Sequence, residues 1–149
     1  RVGELLGLTW DDINLDDMTI SINKQWVRIG PENNFGFGQL KTKNSKRILP
    51  IPMVLVTKLK EYKEQSTHAR IIPINYSSML YGYISTNINK HSPHDFRHTY
   101  ATKLLSNGVD IKTVASLLGD TVATVINTYI HYSDEMRENA RAEIQRIFD

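Results

Sequence analysis

One stretch of the sequence, from His94 to His131, constrains the fold and chemistry of this chain more than any other. His94 and Arg97 are three residues apart on a helical pattern, which places both side chains on one helix face. A histidine can transfer protons near neutral pH, and an arginine can bind a phosphate through two parallel hydrogen bonds. Asp120 follows in a Leu-Gly-Asp turn, and Tyr129 lies nine residues later. The pattern predicts chemistry at a phosphodiester, with Tyr129 as the nucleophile.

This arrangement resembles the catalytic half of the tyrosine recombinases, the phage integrase family. The resemblance rests on the His-Asp-Phe-Arg-His segment at His94, the Leu-Gly turn before Asp120 and the Tyr-Ile-His segment at Tyr129. The sequence that begins at Arg1 and continues to Glu-Leu-Leu-Gly-Leu-Thr-Trp-Asp-Asp-Ile resembles the first arginine motif of that family. The resemblance covers nearly the whole chain. It implies one catalytic domain over residues 1–149, truncated at its N-terminus, without upstream helices or a DNA-binding arm domain.

The resemblance also implies a mechanism. Tyr129 would attack the scissile phosphate of a double-stranded DNA attachment site and form a 3′-phosphotyrosyl intermediate, which a second DNA 5′-hydroxyl then reseals. Arg1 and Arg97 would hold the phosphate, His94 would transfer protons near it, and Lys41 would protonate the leaving oxygen. The implied activity is site-specific integration or excision of a phage or mobile element in the bacterial cytoplasm, without a cofactor. The implied assembly is a homotetramer on DNA.

Lysine and arginine side chains in one predicted hairpin are candidates for contacts with DNA. Lys41 lies at the end of a predicted strand and resembles the hairpin lysine of the family. Lys43 lies two residues further on and so would share the sheet face, which leaves it open as an alternative general acid. Lys46 and Arg47 are expected either to contact the phosphate backbone or to lie in a solvated turn.

Asp120 departs from the family pattern, in which this position usually holds a histidine or tryptophan that donates a hydrogen bond to the phosphate. An ionised carboxylate only accepts hydrogen bonds, and its charge repels a phosphate. We therefore expect Asp120 to orient Arg97 or His131, or to cap the helix that begins at Thr121.

Spacing alone does not distinguish a nucleophilic Tyr129 from a core tyrosine. Val122, Val125, Ile126 and Tyr129 share one face of a predicted helix, and a tyrosine that only packs in the core would give the same pattern.

Composition limits the classes of function. The formal net charge of +2 alone does not indicate nucleic-acid binding, but Lys and Arg side chains concentrate between Lys24 and Arg47 and predict a local basic stripe. The chain has no cysteine, which excludes disulfides and thiolate metal sites and fits a reducing cytoplasm. No apolar run approaches the roughly 20 residues of a membrane span. The five histidines lack paired carboxylates at ligand spacing, so we expect no metal.

Periodicity predicts a mainly α fold with a small antiparallel β-sheet (α+β). The expected sheet has three antiparallel strands. Its first strand is Met18–Asn23, and Gln25–Ile29 either continues this strand or begins a second one. Gln39–Thr42 and Arg47–Ile51 are the closing strands, Gly30–Gly38 is a loop, and Lys43–Lys46 is a turn. Beyond a helical start at Arg1–Leu8, the expected helices are Pro52–Gln65, Ser77–Asn89, His94–Ser106, Ile111–Leu118, Thr121–Ile130 and Asp134–Phe148. Asp110 is expected to cap one of them. The last helix is amphipathic, and it would pack either on its own domain or in a neighbouring subunit.

Two alternatives to a recombinase remain open from the sequence. One is a DNA-binding or regulatory relic of an integrase that no longer cleaves DNA, which the Asp120 departure permits. The other is a type IB topoisomerase, which shares the chemistry but relaxes supercoils without choosing a site.

Overall fold

The computed structural model describes residues 1–32, 34–88, 91–129 and 144–147, and the chain divides into two compact units. Unit 1 comprises Arg1–His94 and unit 2 comprises Asp95–Asp149. The strands are β1 (Ile13–Asn14), β2 (Thr19–Ile22), β3 (Gln25–Arg28), β4 (Phe35–Gly38) and β5 (Arg47–Pro50). The helices are α1 (Val2–Leu6), α2 (Met53–Gln65), α3 (Ser77–Asn87), α4 (Pro93–Ser106), α5 (Ile111–Leu118) and α6 (Val122–Tyr129). The predicted class, mainly helical with small antiparallel sheets, is confirmed.

The described part of unit 1 contains two small antiparallel sheets. One has the strand order β1-β2-β5, and the other pairs β3 with β4. In the first sheet Ile22 of β2 lies opposite Arg47 of β5, so that the strand register sets the position of the arginine. Two apolar clusters lie in this unit. Leu8, Ile22 and Ile71 form one, and the other consists of Leu6, Leu80 and Ile84.

The expectation of a single three-stranded sheet is wrong in detail. The predicted Gly30–Gly38 loop contains β4, and the predicted strand Gln39–Thr42 is an irregular connection. Within β4, Phe37 packs edge to face on Trp26 of β3 with ring centroids 5.1 Å apart. Because such aromatic pairs stabilise neighbouring strands, this contact offsets the poor strand propensity of the flanking glycines.

The described part of unit 2 is helical. Its core cluster draws on α4, α5 and α6 and contains Ala101, Leu105, Val114, Ala115, Leu118, Val125 and Tyr129. The predicted cap of α5 is confirmed, because the backbone N–H of Thr113 donates to Oδ1 of Asp110 at 3.0 Å. This cap and the apolar cluster together define where α5 begins and which face it buries.

The predicted helix 134–148 and His131 fall mainly outside the described residues. Residues 144–147 are described and are helical. Across the described ranges, the structure has no helix that combines the length and apolar character needed to cross a membrane.

Candidate functional site

The turn between α5 and α6 places Asp120. Gly119 adopts a left-handed conformation with φ of 66°, which a residue with a Cβ rarely adopts. The N–H of Gly119 donates to the carbonyl of Ser116 at 3.1 Å, and the N–H of Asp120 donates to that of Ala115 at 2.9 Å. These two bonds form a Schellman motif, which ends α5 and fixes the backbone at Asp120.

Arg97 on α4 is held by this turn. Its Nη2 donates to Oδ2 of Asp120 at 2.5 Å and to the carbonyl oxygen of Leu118 at 2.8 Å. The Arg97 and Asp120 side chains are 19% and 23% exposed, so solvent still reaches the ion pair. The contact agrees with the expectation that Asp120 orients Arg97.

The cap of α6 is made by another residue. The hydroxyl of Thr121 accepts a hydrogen bond from the backbone N–H of Thr124 at 3.1 Å. The expectation that Asp120 caps this helix is therefore wrong, because the Thr121 side chain makes the cap bond. The third expected partner of Asp120, His131, lies outside the described residues.

Tyr129 is both a core residue and a neighbour of the Arg97–Asp120 pair. Its side chain is buried in the unit 2 cluster at 8% exposure. Burial raises the pKa of the Tyr129 phenol above its ordinary value of 10.0, while the charge of Arg97 lowers the pKa and that of Asp120 raises it. The phenol is thus neutral at physiological pH, and Arg97 is the neighbouring charge that favours its ionised form.

Two histidines of α4 differ in their surroundings. His94 lies exposed in the first turn, three residues before Arg97. The ring of His98 lies 5.1 Å from that of Tyr129, centroid to centroid, with 34° between the ring planes. The motif that contains His98 gave this histidine no catalytic role. Its contact with Tyr129 depends on how α4 packs against α6, and residue spacing does not predict that packing.

In unit 1, Arg1 is held by a buried carboxylate. Nη1 of Arg1 donates to Oε1 of Glu4 at 3.0 Å, and Nη2 of Arg47 donates to Oε2 of Glu4 at 2.8 Å. Glu4 is only 3% exposed. Burial acts to raise the pKa of Glu4. The hydrogen bonds from Arg47 and Arg1, together with the charges of the terminal amino group and Arg47, outweigh it and lower the pKa below its ordinary 4.5. Glu4 is thus a negatively charged support for Arg1, a role that the sequence motifs did not indicate.

The sequence suggested a solvated turn as one position for Arg47, but the structure does not place Arg47 there. Its side chain is 8% exposed, and its Nη1 donates to the carbonyl oxygen of Ser45 at 2.8 Å. Since β5 pairs with β2 at this residue, the guanidinium points toward Glu4 and links α1 to the turn before β5. This inward placement differs from the expected solvated turn, while the expected contact of Arg47 with the phosphate backbone stays a prediction.

The three lysines of the predicted hairpin have different settings. Lys41 is exposed in an irregular bend and does not end a strand. Lys43 begins a short 3-10 turn, Lys43–Ser45, so the shared sheet face that made it an alternative to Lys41 does not exist. The Lys43 side chain lies outside the described part. Lys46 is exposed beside this turn.

The described ranges contain no group of three or more histidine, aspartate or glutamate side chains placed to hold a metal ion. Among the described residues, several of those predicted for the site gather in one set of polar groups in each unit. Arg1, Glu4 and Arg47 form the set in unit 1. Arg97, Asp120, Tyr129 and His98 form the set in unit 2.

Comparison with known families and proteins gives one consistent match. Residues 1–136 match the sequence model described as the phage integrase family. A tyrosine recombinase XerC-like protein of Caldanaerobacter subterraneus subsp. tengcongensis is 30% identical, over 99% of this chain and 46% of its own length. Transposase A from transposon Tn554 of Staphylococcus aureus is 27% identical, over 93% of this chain and 42% of its own length. The chain spans about half the length of these curated relatives.

Solved structures share the fold. The Tn1549 transposon integrase, in complex with circular intermediate DNA, superposes with a TM-score of 0.76 at 20% identity, over 99% of this chain and 55% of that one. The XerA recombinase superposes with a TM-score of 0.68 at 25% identity, over 95% of this chain and 53% of that one.

Proposed function

Because this chain belongs to the phage integrase family of tyrosine recombinases, we propose that it is the catalytic part of a site-specific DNA recombinase. The proposed activity is the cutting and rejoining of DNA during integration or excision of a phage or other mobile element in a bacterial cell. One observation carries the proposal within the chain itself. Tyr129 lies within range of the charge of Arg97, which has the chemistry to bind a phosphate and which lowers the pKa of the phenol.

In the proposed reaction, the Tyr129 oxygen attacks the phosphorus of the scissile phosphodiester. The new bond joins this oxygen to phosphorus as a 3′-phosphotyrosyl ester, and the bond from phosphorus to the 5′-oxygen breaks. The phenolic proton passes to a base, for which we propose His94. The reverse attack by a DNA 5′-hydroxyl rejoins the strand and releases Tyr129, so the bond energy is conserved and no cofactor is consumed.

We assign the other roles by chemistry. Arg97 and Arg1 neutralise charge on the phosphate. Before DNA binds, each guanidinium is paired with a carboxylate of its own unit, Asp120 or Glu4. Lys41 protonates the leaving 5′-oxygen. Lys43 and Lys46 contact the DNA backbone. Arg47 supports Arg1 through Glu4, which its burial favours over a direct contact with DNA.

We propose that several copies of the protein act together on two DNA duplexes, as a homotetramer. The amphipathic segment 134–148 is a candidate for exchange between subunits. The mass of the complex on DNA, measured with and without that segment, tests this assembly. A complex of unchanged stoichiometry after deletion would contradict the exchange.

The nucleophile is tested with nicked duplexes. After cleavage the released fragment diffuses away, so its 5′-hydroxyl cannot rejoin the strand and the covalent adduct accumulates. The DNA site is unknown, so the probe is a pool of nicked duplexes with a randomised centre. DNA that remains attached to the denatured protein is sequenced. We expect adducts with the unmodified protein and none with Tyr129→Phe, while Tyr83→Phe, which alters an exposed tyrosine of α3, behaves as the unmodified protein.

The result also separates the alternatives. Adducts enriched in one sequence support a site-specific recombinase, and adducts without sequence preference indicate a type IB topoisomerase. The relatives are about twice as long as this chain, so the assay is repeated with the full-length gene product. Absence of an adduct from both proteins would overturn the proposal in favour of a DNA-binding relic.

A further inference from the structure

Arg97 already has an anionic partner within its own unit. We propose that Asp120 is an internal counter-ion that occupies Arg97 until a phosphate displaces it, so that the pair gates anion binding by unit 2. This inference rests on the proposed function only for the identity of the natural anion, a DNA phosphodiester. The gate itself is a property of the ion pair.

The geometry permits an exchange of anions at Arg97. One nitrogen of the guanidinium, Nη2, donates both to the Asp120 carboxylate at 2.5 Å and to the Leu118 carbonyl at 2.8 Å. The carbonyl belongs to the backbone at the end of α5 and is fixed there by the Schellman motif. If the carboxylate releases Arg97, the carbonyl still orients the guanidinium. The phosphate therefore meets an arginine that is already in position.

The partial exposure of the pair supports a gate rather than a permanent structural link. A fully buried pair resists separation, because each ion would be left desolvated and unpaired. A fully exposed pair competes weakly, because water screens it. At 19% and 23% side-chain exposure, Arg97 and Asp120 lie between these limits. An incoming anion has access to the pair and must still compete with a nearby negative charge.

The backbone explains why Asp120 remains close when it is displaced. The Schellman motif on one side and the Thr121 cap of α6 on the other hold its main chain in place. Its carboxylate therefore repels the bound anion even after the exchange. A single phosphate binds weakly under these conditions, and a longer DNA ligand binds because contacts elsewhere compensate. Anion binding at Arg97 thus depends on contacts at a distance from it.

The test measures binding of inorganic phosphate, without DNA and without cleavage. Phosphate is titrated at constant ionic strength against protein with ¹⁵N-labelled arginine, and the NMR signal of the Arg97 side chain is followed. The main variant is Asp120→Asn, in which the amide oxygen still accepts from Arg97 but the charge is gone. Asp120→Glu retains the charge. Asp110→Asn is the matched control, since it removes one negative charge from the cap of α5, where asparagine also caps well.

We expect Asp120→Asn to bind phosphate roughly tenfold more tightly than the unmodified protein, from the loss of one nearby negative charge. Asp120→Glu and Asp110→Asn should stay within about twofold of the unmodified protein on the same reasoning. Equal or weaker binding by Asp120→Asn would overturn the gate. Equally tight binding by Asp120→Glu would also overturn it, because geometry rather than charge would then control affinity.

A second measurement distinguishes the loss of the Asp120 charge from a structural change that only loosens the turn. The phenolate absorbance of Tyr129, obtained as the difference from the same protein with Tyr129→Phe, should appear at lower pH in Asp120→Asn, because Asp120 disfavours the phenolate. A loosened turn that lets water reach Tyr129 would lower this titration in Asp120→Glu as well, whereas the gate predicts the shift in Asp120→Asn alone. Both measurements succeed or fail independently of whether the protein forms an adduct with DNA.

Discussion

At the scale of single residues, the carboxylate of Glu4 is a buried charge on which we expect stability to depend. It is 3% exposed and accepts from two guanidinium groups, those of Arg1 and Arg47. The two arginines differ in exposure, at 37% for the Arg1 side chain and 8% for that of Arg47. Removal of the negative charge leaves the buried Arg47 cation without its counter-ion, which costs more than the loss of an exposed pair.

We expect Glu4→Gln to lower the free energy of unfolding by about 3 kcal/mol, as for other buried ion pairs that lose one partner. Chemical denaturation at neutral pH measures this change. Glu61→Gln is the control, because it breaks the exposed Lys58–Glu61 pair and should leave the free energy of unfolding almost unchanged. If the two substitutions had equal effects, Glu4 would not be the buried support described above.

At the scale of secondary-structure elements, the position of α1 depends on a close approach to β3. A Cβ added at Gly7 would lie 2.9 Å from the Cα and carbonyl carbon of Gln25 and from the backbone nitrogen of Trp26. These are backbone atoms of a paired strand, and they cannot rotate away as a side chain can. Since Gly7 follows α1 directly, this contact determines where the helix that holds Glu4 lies on the sheet.

We therefore expect Gly7→Ala to destabilise the protein by about 1–3 kcal/mol, the range for overpacked contacts. Thermal unfolding followed by circular dichroism checks the effect. Gly82→Ala serves as the matched control, because Gly82 lies inside α3 and a Cβ there meets nothing within 4 Å. Alanine at Gly82 should stabilise the helix by about 0.5–1 kcal/mol. A similar gain at Gly7 would contradict the close packing of α1 on β3.

At the scale of the whole molecule, the two units carry opposite sensitivities to pH. In unit 1, burial acts to raise the pKa values of Glu4 and Asp12, but hydrogen bonds from Arg47 and Lys24 respectively lower them overall. Their contribution to stability is present above the ordinary pKa values and is lost as pH falls through the folded-state values. In unit 2, the raised pKa of Tyr129 means that stability is lost as pH rises above 10.0 toward the folded-state value.

Both tryptophans, Trp10 and Trp26, lie in unit 1, so their fluorescence reports on that unit alone. We expect this fluorescence to begin to change once the pH falls below about 4, the ordinary pKa of a carboxyl group, because Glu4 and Asp12 then become protonated. We expect alkali to reduce helical circular dichroism before the fluorescence changes, and Tyr129→Phe to weaken that alkaline loss. An alkaline loss of the same size in Tyr129→Phe would show that the phenol is not its source.

The sequence determined the family, the helical class and the local geometry of the short-range features. The spacing of His94, Arg97 and Tyr129 and the Leu-Gly turn before Asp120 were sufficient for the resemblance that the family match confirms. The cap at Asp110 follows from side-chain chemistry within one helical turn, and the structure confirms it. The ion pair between Arg1 and Glu4 was accessible in the same way, because residues three apart on a helix are neighbours.

Only the tertiary structure decided the contacts between residues distant in the chain. Arg47 reaches Glu4 across 43 residues, so its local sequence suggested solvent or DNA instead of a buried ion pair. On α2, Val54 is 70% exposed whereas Val56 is 2% exposed, so packing rather than hydrophobicity selected which of the two valines is buried. Likewise the sequence left three partners open for Asp120, and only the fold, which brings Arg97 to it, showed that these two side chains pair. Local propensity acts over a few residues, whereas packing selects which distant charges and apolar faces meet.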